Sequence, residues 1–213
     1  YFPGQTHRLT VKETNPLGKQ TTYTFRNGRL ISTEGHASSY CAASQALVEY
    51  DANGYPSMVS DFNGNNTAYV YSPAGQLTQK IEAYGTPLAR TTNYEWWGPG
   101  KLMRETVVGS KSTTYYYGGH GRIAQIDVKN LSGYGVANQV HSTTFQYSFH
   151  APTAGGVIGL GVLAMERVDF PLAGSSDAIT RNYDSSGNLV SESSSAGHQV
   201  VYSSHNGLGL PGR

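Results

Sequence analysis

Charge is scarce in this sequence. Asp, Glu, Lys and Arg together make up 14% of its 213 residues, against about 25% in an ordinary soluble domain. Lys and Arg number 15 and Asp and Glu 14, so the formal net charge is +1. Capture of nucleic acid or an anionic membrane by a basic surface is excluded on that ground. Cysteine is represented by Cys41 alone, which rules out an intramolecular disulfide framework and a cysteine-based zinc site. Long apolar runs are missing as well. The longest weakly polar stretch, Ala154 to Met165, is rich in glycine and falls short of the roughly 18–20 residues that a membrane-spanning helix needs. Helix-forming segments are few: Ala42 to Tyr50 could make two helical turns or a lead-in strand. The chain begins at Tyr1 without methionine or a leader pattern, and the expectation is a section of a longer protein.

What the sequence does have is glycine, at 26 residues, and tyrosine, at 16, with serine and threonine throughout. That mixture favours strands and turns. It is also ordered in a pattern. An aromatic residue followed by a turn glycine and an aliphatic residue recurs in Phe25-Arg-Asn-Gly28-Arg-Leu30, Tyr50-Asp-Ala-Asn-Gly54, Tyr71-Ser-Pro-Ala-Gly75-Gln-Leu77, Tyr117-Gly-Gly-His-Gly121-Arg-Ile123 and Tyr183-Asp-Ser-Ser-Gly187-Asn-Leu189. Tyr94 with Gly98 and Leu102 reads as a looser copy, and Tyr147 as the anchor of a degenerate one. A second turn signal falls between anchors: Asn15-Pro-Leu-Gly18 before Phe25, and Asp61-Phe-Asn-Gly64 before Tyr71. Alternating residues follow each, Thr21-Tyr23-Phe25 and Thr67-Tyr69-Tyr71. Each unit therefore reads as strand, tight turn, strand, tight turn. Isolated two-stranded hairpins are marginal in water, so successive hairpins must pair edge to edge. The fold class is all-β, built of repeated antiparallel β-hairpins. Residues 1–125 form the hairpin array, 126–179 a degenerate or inserted stretch that is still β, and 180–213 a further repeat.

At these residues the sequence resembles the bacterial RHS/YD-repeat family. The family's unit is a Tyr-Asp or Tyr-Ser turn with Gly-Arg-Leu or Gly-Asn-Leu, then Asp-x-x-Gly-Asn and a strand closing on the next tyrosine. Tyr50-Asp51 through Asp61-Phe-Asn-Gly64-Asn65 to Tyr71 is one full unit. The resemblance covers most of residues 9–125 and again 180–205. It implies a curved β-ribbon that spirals into a hollow shell around, or as a support for, a C-terminal effector, commonly a toxin. It also implies secretion or display at a bacterial cell surface, with the rest of the parent chain, that effector and a secretion machinery as partners. Many family members cleave themselves near an Asp-Pro-x-Gly-Leu motif. Leu208-Gly-Leu-Pro-Gly-Arg213 lacks the aspartate, so no cleavage residue is assigned.

Motifs for chemistry are thin. Gly159-Leu-Gly161-Val-Leu-Ala164 matches a dinucleotide fingerprint with Asp177 downstream, but that function needs a βαβ unit. A glycine-rich loop is the preferred reading, and Gly207-Leu-Gly209-Leu-Pro-Gly212 reads as a turn. No cofactor is expected. The histidines form no metal-binding spacing; His141 and His150 flank a strand-like segment and could meet a carboxylate only in three dimensions. No catalytic residue is assigned and no enzyme activity is expected. Trp96, Trp97 and Tyr94 form the best candidate binding surface, because adjacent tryptophans on a strand face opposite ways and one of them can be exposed to stack on a sugar. The leading expectation is thus a structural shell segment. The alternative is a carbohydrate- or surface-binding adhesin module using those aromatics. Open strand edges in either case invite self-association.

Overall fold

The computed structural model describes residues 7–37, 42–151, 161–172 and 177–212. Cys41 and Gly159 lie outside the described residues. The chain is all-β and divides into two compact units, residues 1–101 with 106–108 and residues 102–105 with 109–213. The first contains β1 (Arg8–Thr14), β2 (Gln20–Arg26), β3 (Arg29–Gly35), β4 (Ser44–Tyr50), β5 (Pro56–Ser60), β6 (Asn66–Tyr71), β7 (Leu77–Glu82) and β8 (Arg90–Trp96). The unit boundary passes through β9 (Leu102–Val107). The second contains β10 (Lys111–Tyr117), β11 (Ile123–Asn130), β12 (Val140–Phe149), β13 (Leu163–Asp169), β14 (Ile179–Tyr183), β15 (Leu189–Ser194) and β16 (Gln199–Val201). Within each unit every strand pairs antiparallel with its sequence neighbours, so the strand order is the chain order. Residues 44–50, open between helix and strand in the sequence, are the strand β4. The stretch 126–179 supplies part of β11, all of β12 and β13, and the first residue of β14.

The two turn signals of the sequence are one turn. In the turns that open at Asn15, Asp51, Asp61, Ser72, Asp184, Ser194 and Asn206, the first residue's N–H donates to the carbonyl of the fifth. The fourth residue, always glycine, donates its N–H back to the first carbonyl. This is the three-residue hairpin loop with a left-handed fourth position. The first residue is Asn, Asp or Ser for a physical reason: its side-chain oxygen accepts the fifth residue's N–H in all seven turns. Asp61 and Asp184 go further and also accept the side-chain amides of Asn65 and Asn188. An Asx or Ser side chain here satisfies backbone donors that a tight loop cannot pair otherwise.

What separates anchor turns from the others is a β-bulge. The register shifts between Thr24 and Phe25, Glu49 and Tyr50, Val70 and Tyr71, Tyr116 and Tyr117, Ser148 and Phe149, and Asn182 and Tyr183. In each case the aromatic pairs with the residue two past the turn glycine, as in Tyr71 with Leu77, and the returning strand carries one extra residue. The turn at Asp61 has no such shift. Bulges increase local twist and re-aim side chains, so each anchor ring is set at a defined angle beside its turn.

The sheet is one layer thick within each unit. Among the described residues only Val168 (7% exposed) and Ala178 (1%) are buried apolar side chains, and no large side chain is fully buried. Cross-strand registers place Tyr23, Tyr50, Tyr69, Tyr71, Tyr94 and Trp96 on one face of the first unit. Among the described strand residues of that unit the opposite face, with Thr24, Ser32, Leu47, Met58 and Ile81, carries no aromatic ring. In the second unit Tyr115, Tyr117, Phe145, Tyr147 and Tyr183 likewise share a face. There Arg181 bridges Glu166 at 3.3 Å and Glu192 at 2.7 Å across three strands.

The capping geometry has a consequence in acid. The Asn65 side-chain amide and backbone amides hold the Asp61 carboxyl below its usual range, and Asn188 does the same for Asp184. A lowered folded-state value means that the stabilisation is present above the unfolded carboxylate range, about pH 4, and is lost as the pH falls through the folded value. Denaturation midpoints should therefore decline below about pH 4. The D61N/D184N variant keeps an acceptor of the kind found at Asn15 and Asn206, and its midpoint should depend less on pH over that range.

Candidate functional site: the aromatic anchor row

The anchor turns form a row at one end of the strands in each unit, and two kinds of contact join turns to their neighbours. The first is made by the tip of the anchor side chain. Tyr50 donates its hydroxyl to the Leu30 carbonyl at 2.8 Å, the Trp96 indole N–H donates to Leu77 at 2.7 Å, and the Tyr117 hydroxyl donates to Leu102 at 2.9 Å. His205 Nε2 lies 2.9 Å from the Leu189 carbonyl; because a carbonyl only accepts, that nitrogen carries the proton. In every case the acceptor is the residue two past the preceding turn glycine. The Gly-x-Leu of the repeat is thus an acceptor placed in register for the following ring.

The second contact is made by the residue directly after the glycine. The Arg29 guanidinium lies against Gly54 of the next turn and 5.6 Å from the Tyr50 ring centroid. Tyr55 lies against Gly75 and stacks on Tyr71 with centroids 5.0 Å apart. Gln76 Nε2 donates to the Gly98 carbonyl at 2.7 Å. Arg122 sits over Tyr147 at 5.2 Å and Phe149 at 5.5 Å. Gly54 is needed twice over: its φ is +87°, and a Cβ there would meet the Arg29 guanidinium.

These contacts revise three assignments. The fourth anchor is Trp96, not Tyr94, and its turn glycine is Gly100, not Gly98, since Trp97 N–H donates to the Lys101 carbonyl. In the degenerate stretch the anchor is Phe149, not Tyr147: Phe149 pairs with Leu163 at a register shift, and His150 N–H donates to the Val162 carbonyl. Gly161-Val162-Leu163 is therefore the repeat's own Gly-x-Leu. The dinucleotide fingerprint fails for the same reason, because Leu163–Asp169 is a strand where a helix would have to begin. Gly207 to Gly212 holds the turn Asn206–Leu210, as its sequence implied.

The three aromatic candidates differ in availability. Tyr94 is half-buried on the aromatic face, near Lys80. Trp96 is half-buried and its N–H is taken by Leu77. Trp97, at the first position of its turn, is 61% exposed and offers a ring face to solvent. His141 pairs in register with Val128, while the His150 ring nitrogen is 2.8 Å from the Tyr183 carbonyl. Among the described residues no group of three or more His, Cys, Asp or Glu side chains could hold a metal ion. No helix among them is long and apolar enough to cross a membrane. Sequence reading missed the residue after each glycine. Its signal was present in Arg29, Gln76 and Arg122, long side chains at one fixed offset from a turn.

No protein-family model matches the chain, and no curated protein is similar to it. Solved structures are. A chain in the crystal structure of TcdB2-TccC3-Cdc42 superposes on 90% of this chain with a TM-score of 0.58 at 16% identity. A chain in the Photorhabdus luminescens Tc holotoxin pore with mutated TccC3 does so over 90% with a TM-score of 0.57 at 17% identity. The matched region is 11% of each of those chains. The likeness shows the fold, an all-β repeat sheet of the kind present in Tc toxin chains.

Two substitutions probe the row. Trp96→Phe removes the donor to Leu77 and should cost about 1 kcal/mol in urea unfolding, whereas Trp97→Ala should stay within about 0.5 kcal/mol of wild type. Gly54→Ala and Gly64→Ala both place an alanine at positive φ, at about 1 kcal/mol each. Only Gly54→Ala also displaces Arg29 from Tyr50, so it should cost about 0.5–1 kcal/mol more.

Proposed function

We propose that this chain is a wall segment of an RHS/YD-repeat protein, a stretch of curved ribbon in a shell that encloses or presents a C-terminal effector, commonly a toxin. The observation that carries the reading is the single-layer sheet stitched along one end. A sheet whose described residues include almost no buried apolar side chain makes a poor free-standing domain, since stable domains pack at least two layers. It makes a good wall, because repeat arrays add stability through nearest neighbours rather than through a central core. The shared fold with Tc toxin chains, of which this chain spans 11%, supports the same reading and a parent of greater length. The parent would be secreted or displayed by a bacterium, with the remainder of its chain, the effector and a secretion machinery as partners. The segment has no catalytic role in this reading.

The test is electron microscopy of the complete gene product. The expected result is a closed hollow particle whose wall contains residues 7–212. An open filament or a compact particle without a cavity would remove the reading.

The alternative is a glycan-binding adhesin module, and the observation favouring it is the exposed Trp97 ring. A fluorescence titration against a glycan panel decides it. Saturable quenching that is lost in Trp97→Ala, with folding intact, would establish the adhesin; an unchanged signal across the panel would end it.

A further inference from the structure

Strands β3 and β4 part before they reach the anchor end. Their register pairs Gly35 with Ser44 through Ser32 with Leu47 and stops there. Beyond that point the Tyr50 hydroxyl reaches across to the Leu30 carbonyl. The opening is a cleft of about 480 Å³, bounded by Arg26, Arg29 and Ile31 from the β2–β3 hairpin and by Leu47, Glu49 and Tyr50 from β4. Arg26, Leu47 and Glu49 belong to the face without aromatic rings, because Thr24 pairs with Ser32 and Ser32 with Leu47, and residues two apart on a strand share a face.

The arginines at this cleft are an unfavourable arrangement for the sheet alone. Arg8, Arg26 and Arg29 are successive cross-strand partners, and like charges directly opposite one another destabilise a pair of strands. All three are exposed, and among the described residues none forms an ion pair with a carboxylate. The hairpin does not call for them. Its turn reverses on Asn27 and Gly28, at φ +49° and +77°, the two-residue loop that closes without a capping side chain before it. At the equivalent positions of the β6–β7 hairpin stand Ser72 and Gln76. Arg29 does lie over the Tyr50 ring, but Tyr55 and Gln76 fill that place in other hairpins without a charge. Guanidinium groups that the repeat does not require, beside an opening that it does not fill, fit an anion brought from outside.

We propose that this cleft binds an acidic sugar residue of the uronate kind, with its carboxylate on Arg26 and Arg29. A guanidinium fork matches a carboxylate with two parallel hydrogen bonds. Glu49 selects the rest of the ligand. Its carboxylate comes from the β4 side of the cleft, repels a multiply charged phosphate or sulfate, and accepts from hydroxyl groups. The other carboxylate at the cleft, Asp51, is engaged by the Tyr55 amide at 2.9 Å. Ile31 and Leu47 present apolar surface to the C–H face of a ring. One anionic group, several hydroxyls and an apolar flank describe an acidic monosaccharide, and the cleft has the size of ordinary small-ligand sites. Three guanidiniums in one line make a point site and not a basic surface, so the site is compatible with a net charge of +1. It uses no part of the Trp97 ring and does not depend on the wall reading.

Equilibrium dialysis of the complete gene product against radiolabelled D-glucuronate tests the assignment, with D-glucose, free alanine and sulfate as competitors. Glucuronate should bind in the millimolar range or tighter, and each competitor about tenfold more weakly. Arg26→Gln should weaken glucuronate about tenfold, and Arg26→Lys should recover only part of that loss, because an ammonium group has no fork. Glu49→Gln should weaken glucuronate and strengthen sulfate, while Trp97→Ala should bind as wild type. Far-UV circular dichroism of each variant should match wild type. Glucuronate binding that is unchanged in Arg26→Gln, or absent at about 10 mM ligand, overturns the site. Glucose, alanine or sulfate competing as well as glucuronate itself overturns the sugar assignment. A gene product that closes into a hollow particle and binds no glucuronate leaves the wall reading standing and removes this one.

Discussion

At Tyr50, Trp96, Tyr117 and His205 an aromatic or imidazole tip donates to a backbone carbonyl of the hairpin before it, and the other features of the repeat serve that bond. The turn glycine lets the chain reverse within three residues. The bulge beside it turns the ring toward the preceding hairpin. The residue after the glycine then lies across the next turn and covers one side of the ring. Each such bond contributes only about 1 kcal/mol, but it joins hairpins that would be marginal alone. Tyr50, Trp96, Tyr117 and His205 fill the role with three different ring chemistries. Where the bond is made, the common feature is a flat side chain with a donor at its far end; Phe25 and Phe149 hold the same position without one.

That arrangement explains why a sheet without a second layer stays ordered. The usual source of stability, burial of large apolar side chains, is nearly absent among the described residues. Its place is taken by half-buried aromatics packed side by side on one face and by cross-strand polar pairs. Lys80, Glu82 and Arg90 form one such network, and Gln79 with Asn93 is a single pair. Exposed ion pairs add little individually. Stability of this kind is a sum of local terms, so it grows with the number of neighbours rather than with the size of a core.

The strands and the paired turns were legible in the sequence because glycine, Asx residues and period-two alternation act locally. Asp51, Asp61 and Asp184 could be assigned to turn capping from residue type and position, but Asp127, which the sequence offers in the same way, lies within β11 and accepts from the Gln125 side chain. The frame of the fourth repeat was not legible. Tyr94 with Gly98 looks like the motif, and only the Trp97–Lys101 hydrogen bond shows that Trp96 and Gly100 occupy the motif positions. Phe149 was hidden in the same way, since Gly161 follows it by 12 residues where Tyr50, Tyr71 and Tyr183 have their turn glycine after four. A ring's partner lies 15 to 20 residues away in the chain, beyond the reach of a local pattern. The residue after each glycine was passed over because its identity varies: Arg29, Tyr55, Gln76 and Arg122 share a position and not a chemistry.

The same variability accounts for a shared fold at 16–17% identity. A core built from interlocking side chains constrains neighbouring residues together, so sequence and structure drift apart slowly. A repeat built from backbone acceptors and donor-tipped rings constrains about three positions per unit: the anchor, the turn's first residue and its glycine. Even these accept substitutes, as Trp96, His205 and Ser72 demonstrate in this one chain. The remaining positions of each strand need only alternate and stay compatible with β structure. Such a sheet can change most of its residues while keeping its hydrogen-bond frame.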